Sequence, residues 1–337
     1  MSDPAAQPVS VIVIMRNSSS TIIPCLEGLA AQDYPIAEII VVDNKSVDDS
    51  VPLVEEFARK CAVHVRLVKQ ASDGGLTTSY NMGARLAISP LLIFAHSDGA
   101  FPSRQELRKL TEPILRNEKA IASYSELLMP QELWLKYPFW EKLCFVRSVG
   151  RIVPTMCGKF DCVRKEAFWR VGGHNTERFT ATCGYGGEDS DLSCRLSQAG
   201  AVIRSSAQVI HLHDISGNFS IRSLFTTRKL LARTYGKILR FQGMQLTFDR
   251  FLLFVRPGLA VLPFVPHLHL VGLLFLLLFS FLNSRPMYMN RSTLANWRIL
   301  AVPVVDIALV YFETFWFVES LLTRSADAKG TRCPPIK

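Results

Sequence analysis

The stretch PVSVIVIMRN, residues 8–17, is a β-branched run that ends in an Arg-Asn pair. Its apolar part, residues 9–14, is too short and too rich in Val and Ile for a helix, so the spacing predicts a buried strand. A helical pattern follows through Gln32, then a turn at Asp33 to Pro35, and then a second buried strand, EIIVVD, which ends on Asp43. A helix from Asp48 to Lys60, a strand around Val63 to Val68, a helix through Gly83 to Ile88 and a fourth strand, LLIFA, fill the first hundred residues. This alternation implies parallel strands joined by right-handed crossovers, the α/β class. Ligands of such sheets bind at the carboxyl ends of the strands. Asp43 and Asp98 fall at those ends, after strands two and four, and are placed to face one crevice. Each alone also fits an Asx turn leaving a strand. Gly74 and Gly75 open the third helix, but without a Walker or GxGxxG pattern they are a weak phosphate signal.

Composition narrows the class. The chain has 337 residues and 49% hydrophobic content, enough for one large or two smaller domains. Residues 1–215 carry 23 Lys or Arg against 24 Asp or Glu, whereas residues 216–337 carry 15 against 5, so the net charge of +9 belongs to the C-terminal third. That third is also the most apolar. Basic charge beside apolar runs points to an anionic membrane surface and away from nucleic acid, which would require a basic patch on the folded domain. The 8 cysteines show neither a CxxC pair nor zinc spacing, and read as reduced core residues. The first 8 residues lack an apolar signal core, so the N-terminal domain is expected in the cytoplasm.

CGYGGEDSDLSCRL, residues 183–196, packs Glu188, Asp189 and Asp191 behind a run of glycines. If LSCRLSQAG continues as a helix, these acids sit in its first turn, where free amides and the helix dipole favour the ionised form. An ionised carboxylate beside a Gly-rich loop is a candidate general base; N-terminal capping is the competing reading.

Five pieces in order carry a resemblance over about residues 9–215. They are CLEGLAAQDYPIAEIIVVDNKSVDDS with its Q-x-Y-P turn, Gly75 to Gly83 with the strand ending in Asp98, RKEAFWRVGG at 164–173, GEDSDL at 187–192, and VIHLHD at 209–214. Together they resemble glycosyltransferase family 2, the inverting GT-A fold enzymes. The resemblance implies a GT-A (Rossmann-like) domain that binds a UDP-, GDP- or dTDP-sugar. On that likeness Arg16 and Asp43 would hold the base and ribose, with Gly75 and Asn81 also on the donor side, and Asp98 would be the last acid of the metal motif. Asp189 would be the general base, and Glu188 and Asp191 would orient the base or the acceptor. His211 would close the metal site, with His213 as the competing choice. His96 departs from the family pattern, standing where the first Asp of the metal motif is usual.

These roles make chemical sense. Departure of a nucleoside diphosphate builds charge that Mg²⁺ or Mn²⁺, held by oxygen ligands and an imidazole, would neutralise. A carboxylate on the other face of the sugar must take the proton of the acceptor hydroxyl. A polyprenyl-phosphate acceptor is already anionic and needs no base, so the acids of GEDSDL argue against that alternative. A non-catalytic nucleotide-sugar-binding membrane protein is the second alternative, motivated by His96 alone.

Residues 124–156 carry Trp134, Tyr137, Phe139, Trp140 and Phe145 beside Arg147 and Arg151, either as an acceptor wall of stacking rings or as a packing helix. Residues 216–256 form a basic juxtamembrane segment, in which Ile221 to Leu239 has an apolar and a basic arc and is expected in the headgroup layer. Residues 257–322 hold two candidate transmembrane helices. Leu259 to Leu282 is 24 residues without a Lys, Arg, Asp or Glu and is expected to span. Ile299 to Leu322 contains Asp306, Glu313 and Glu319, each costing about 2.5–3.5 kcal/mol at a bilayer centre, and would span only with those acids turned to partners such as His267, His269 or another subunit. Residues 323–337 form a basic tail. Eight basic residues between 222 and 256, against three between 283 and 298, favour a cytoplasmic catalytic domain. The expected acceptor is lipid-linked or a membrane-proximal glycan, with oligomers possible through the membrane helices.

Overall fold

The computed structural model describes residues 6–150, 152–154, 156–177, 179, 187–212, 219–242 and 248–323. The opening strand, β1 (Val9–Met15), is buried at every position. Val9, Val11 and Val13 join one core layer and Ile12 and Ile14 the other, as a central strand covered on both faces must. Parallel to it run β2 (Ile36–Asp43) on one side and β4 (Leu91–His96) on the other, and β3 (Val65–Lys69) lies outside β2. The helices Ile22–Ala30, Ser50–Lys60 and Gly75–Leu86 make the crossovers. The predicted parallel half is therefore present, with its carboxyl ends along one rim.

The second half of the sheet is mixed. β5 (Gly99–Ala100), β6 (Ala120–Leu128), β7 (Ile152–Pro154), β8 (Phe160–Arg164) and β9 (Ala201–His211) extend it in the order β3-β2-β1-β4-β8-β6-β9-β5, with β7 beside β6. β8 is antiparallel to β4, pairing Ala95 with Phe160, so the residues just before β8 arrive at the rim where β4 ends. β5 is antiparallel to β9 and pairs Gly99 with His211. That two-residue ladder brings the end of β9 back to Asp98.

The C-terminal third departs from two expectations. Leu259 to Leu282 is not one helix: a helix Phe248–Val261 gives way to a 3₁₀ turn at Leu262–Phe264, and helix resumes only at His269–Asn283. Pro263 and Pro266 explain the break, since each lacks an N–H and disfavours helix in the preceding residue. The second piece has 15 residues, about 22 Å, short of a ~30 Å hydrocarbon core. Among the described residues, Trp297–Leu322 is the one helical stretch long and apolar enough to cross a membrane.

The basic helix Ile221–Gln242 does not offer all its cations to headgroups. It lies along the helix Val302–Leu322, with Arg228 bonded to Glu313 at 2.7 Å, Arg233 paired with Glu319 at 3.2 Å, and Arg240 donating to the Thr323 carbonyl. Arg256 also pairs with Glu313. Asp306 accepts from Ser280 (3.1 Å), Asn283 (3.2 Å) and Ser284 (2.5 Å). The three acids of the last helix thus find partners within the chain, and neither His267 nor His269 is among them.

The aromatic segment also takes its structural reading. Trp134, Tyr137 and Phe139 are buried in a third core with Leu224, Met287, Val302 and Val305, and the Trp134 indole donates to the Lys142 carbonyl at 2.9 Å. These rings join the C-terminal helices to the α/β domain and do not form an open acceptor wall. Arg151, His213 and residues 324–337 lie outside the described residues.

Candidate active site

The carboxyl rim carries two side-chain groups. The first is at the ends of β4 and β9. His211 Nε2 lies 2.5 Å from Asp98 Oδ2, and His96 Nδ1 lies 3.7 Å from Asp98 Oδ1. The backbone fixes this, for Leu212 N–H donates to the Asp98 carbonyl at 2.7 Å directly beyond the β5–β9 ladder. One ligand atom from each of His96, Asp98 and His211 falls within 4.8 Å of the others. Asp98 Oδ1 is buried and accepts no hydrogen bond among the described residues. A carboxylate oxygen left without a donor, flanked by two imidazoles, is a donor set that suits a divalent ion such as Mn²⁺. Burial pushes His96 down to about 3 and, with Lys159, holds His211 below its ordinary value, which favours the neutral, ligating form of both rings. Asp98 is held well below the usual carboxylate range: burial opposes this, but the His211 hydrogen bond and the electrostatic influence of the surrounding His211, His96 and Lys159 prevail.

The second group is at the start of the helix Glu188–Ala199, behind Gly187 with φ 110°. Here burial works against the expectation of ionised acids at Glu188 and Asp189. Burial raises Asp189 well above the ordinary carboxylate value, and the charges of Glu188 and Asp161 raise it further, while Lys159 counters only in part. Burial likewise raises Glu188. Desolvation and like charge therefore outweigh the helix N-terminus. The acids also divide in function. Asp191 is bonded to Arg195, with Nη2 at 2.7 Å and Nε at 2.9 Å, and Arg195 Nη1 in turn binds the carbonyls of Val171 (2.6 Å) and Gly173 (2.7 Å). Asp191 is thus a brace between this helix and the VGG turn.

Between the two groups runs Cys157–Asp161, which sequence reading missed. Lys159 Nζ is 3.0 Å from His211 Nε2. Its charge acts on His96, Asp98 and His211 and also on Asp161, Glu188 and Asp189. Gly158, at φ 68°, lets the chain pass close to Asp189: an added Cβ would lie 2.7 Å from Asp189 Oδ1 and 2.9 Å from the Tyr80 hydroxyl. That hydroxyl donates to the Gly158 carbonyl at 2.8 Å. Asp161, fully buried, accepts from Gly158 N–H at 2.6 Å and Cys157 N–H at 3.0 Å, yet burial still pushes it up to about 7. The detectable signal was a Lys and an Asp alternating with Phe160 and Cys162 in a short apolar strand, a pattern that calls for a reason.

Further along the rim is a polar cup. Arg16 Nη1 binds Asp73 at 2.6 Å, and Asp73 also accepts from Asn44 at 3.0 Å and Gly75 N–H at 3.1 Å. Asn17 and Lys45 adopt left-handed backbone, φ 48° and 61°, which turns the chain sharply at the ends of β1 and β2. Asp43 is buried and accepts from Ser46 N–H at 3.1 Å, three residues on, so its carboxylate ties down the turn leaving β2 with a longer reach than the two-residue Asx turn of the simpler reading. Arg16, Asp43 and Gly75 thus share one rim region, with Asp73 as a member the sequence reading omitted. Asn81 stands apart: its amide donates to the His174 carbonyl at 2.8 Å and accepts His174 N–H at 2.9 Å, clamping the turn that follows the VGG segment.

Residues 10–172 match the model of Glycosyl transferase family 2. An uncharacterized glycosyltransferase of Bacillus subtilis, EpsJ, is 32% identical over 110 residues, 33% of this chain and 31% of that one. A PGL/p-HBAD biosynthesis glycosyltransferase of Mycobacterium bovis is 24% identical over 173 residues, 51% of this chain and 64% of its own. The aligned stretches thus span from about a third to just under two thirds of these relatives. Among solved structures, the mannosyltransferase PcManGT from Pyrobaculum calidifontis, in complex with GDP-Man and Mn²⁺, superposes with a TM-score of 0.60 at 18% identity, covering 96% of this chain and 90% of its own. GalNAc-T7 with UDP, GalNAc and Mn²⁺ gives 0.51 at 15% identity, covering 76% and 55%. At these identities the superpositions speak to fold, and the fold is GT-A. Residues 10–172 match glycosyltransferase family 2, and the comparisons support a glycosyltransferase.

Proposed function

We propose that the protein is an inverting glycosyltransferase that moves a sugar from a nucleotide-sugar to a hydroxyl of a lipid-linked or membrane-proximal acceptor, on the cytoplasmic side of a membrane. The observation that carries this reading is the pair of opposed groups, His96–Asp98–His211 and Glu188–Asp189, joined by the Gly158–Lys159 segment. A divalent cation at the first group would neutralise charge on the leaving diphosphate. Lys159 stands beside His211, where its ammonium would bind the same phosphate oxygens. The cup of Arg16, Asp43, Asp73 and Gly75 would take the nucleoside, since it lies at the ends of β1 and β2, of which β1 is the direct neighbour of β4. The raised carboxyl of Asp189, once deprotonated, is a stronger base than an exposed aspartate and would take the acceptor proton as the new bond forms. PcManGT and GalNAc-T7, crystallised with nucleotide or nucleotide-sugar and Mn²⁺, support the donor class and the metal.

The experiment is a panel of GDP-, UDP- and dTDP-sugars with Mn²⁺ offered to the purified full chain in detergent. One donor should raise the melting temperature and be slowly hydrolysed, with the released sugar in the anomeric configuration opposite to the donor. Retained configuration would contradict inversion, and no response to any donor would contradict the transferase reading.

A further inference from the structure

We propose that residues 248–283 form a re-entrant hairpin that docks into one leaflet of an anionic bilayer, leaving both its ends on the side of the catalytic domain. The inference deepens the membrane-proximal part of the reading above and does not depend on the transfer chemistry.

The apolar surface is on the helix His269–Asn283. Only Gly272, Leu276 and Ser280 are buried there, a single stripe, while Leu270 (79% exposed), Leu274 (65%) and Leu282 (65%) point outward in different directions. A protein partner covers one face of a helix; fluid hydrocarbon covers all of them. Phe264, in the turn before this helix, is 76% exposed and extends the same surface to the tip. Apolar exposure on this scale marks an interaction site. The occupant that fits the all-round apolar surface, with Arg285, Arg291 and Arg298 exposed in the chain just beyond it, is an anionic lipid leaflet.

The contacts at the base decide between docking and crossing. The hairpin folds on itself, for a Cβ on Gly272 would lie 2.5 Å from Pro263 N, and the Arg256 guanidinium sits over the Phe279 ring at 5.9 Å. Ser280, Asn283 and Ser284 then bind Asp306. Just beyond, Met287 is fully buried in the core that includes Trp134, Tyr137 and Leu143 of the α/β domain. The chain is therefore back on the catalytic body within a few residues of the helix end, and a helix of about 22 Å cannot have crossed and returned. The last helix, though long enough to span, is held along its length to Arg228, Arg233 and Arg240 and would carry those cations into hydrocarbon.

The test uses the full chain with a protease recognition site inserted between Ala295 and Asn296, and in a second variant after Met289, both exposed positions. In sealed membrane vesicles with catalytic domains facing the medium, added protease should cut both variants without detergent. Cutting only after detergent would show that the hairpin crosses and would overturn the proposal. In parallel, wild-type protein should float with phosphatidylcholine–phosphatidylglycerol vesicles. Leu274→Glu with Leu278→Glu should lower that binding by roughly tenfold or more while nucleotide binding stays unchanged. Equal flotation of wild type and variant, or a wild-type dimer that covers this face and ignores vesicles, would also overturn it. Loss of all nucleotide binding in wild type would instead count against the transferase reading and leave the topology result intact.

Discussion

Carboxylates are buried in two parts of this protein under opposite terms. In the C-terminal helices, Glu313 is held by Arg228 and Arg256, Glu319 by Arg233, and Asp306 by two hydroxyls and an amide. At the carboxyl rim of the sheet, Asp161, Glu188 and Asp189 crowd one another, and burial raises all three above the ordinary range with Lys159 in partial opposition. Paired acids hold helices together and are poor bases. Acids left under-compensated are costly to the fold, and a cost of that kind is tolerated where a proton has to move. The contrast lies in the partners: hydroxyls, an amide and guanidinium groups in the C-terminal helices, other carboxyls and one lysine at the rim.

It can be broken at either end. The largest effect is expected at Asp98: Asp98→Ala removes the carboxylate between two imidazoles, and both nucleotide-sugar binding and turnover should fall, turnover on the order of 10³-fold. Excess chelator should mimic it, and full activity of either preparation would break the metal assignment. Next comes Glu313→Ala, which leaves Arg228 and Arg256 buried together and should destabilise by about 3–5 kcal/mol in denaturant unfolding, with donor affinity kept in the folded fraction. An unchanged unfolding midpoint would mean that the acids of the last helix are not structural. A smaller effect, roughly 10²-fold on turnover, is expected for Lys159→Met, with Lys159→Arg recovering part of it. Because Lys159 opposes the rise of Asp189, the methionine variant should also move the acid limb of the pH–rate profile upward. An unmoved limb would detach Lys159 from the base.

The parallel half of the sheet was legible because strands buried on both faces read as unbroken Val and Ile runs, and β1, β2 and β4 fall where those runs lie. Asp98, Glu188 and Asp189 stood out as candidates because acids after apolar strands or glycines are conspicuous, whereas His211 was singled out by the family resemblance. Lys159 and Asp73 were not, since each becomes part of the rim only through tertiary geometry: the antiparallel return of β8 for one, the Arg16 contact for the other. Asn81 and Asp191 were placed in the chemistry by resemblance, and nothing in the sequence signals that their side chains tie the His174 backbone and Arg195. The membrane reading failed at Leu259 to Leu282 because hydropathy sums over a window while Pro263 and Pro266 act at single bonds. Along Ile221 to Leu239 it was incomplete, because an amphipathic arc shows that a polar face exists and says nothing of whether lipid or Glu313 meets it.

The central claim is that Asp189 is the base, and Asp189→Asn tests it most directly. Asparagine keeps the size, so donor affinity should hold, while turnover should fall by ~10² to 10⁴. Stability supplies the control. A carboxyl raised by burial contributes full stability below the unfolded carboxylate range and loses it as pH rises through the folded value, so the asparagine variant should melt at or above wild type near neutral pH. For the same reason wild-type turnover should climb with pH above the range of an ordinary aspartate. Lost turnover with an unreduced melting temperature and intact nucleotide affinity is the predicted result; near-normal turnover in the variant would contradict the account.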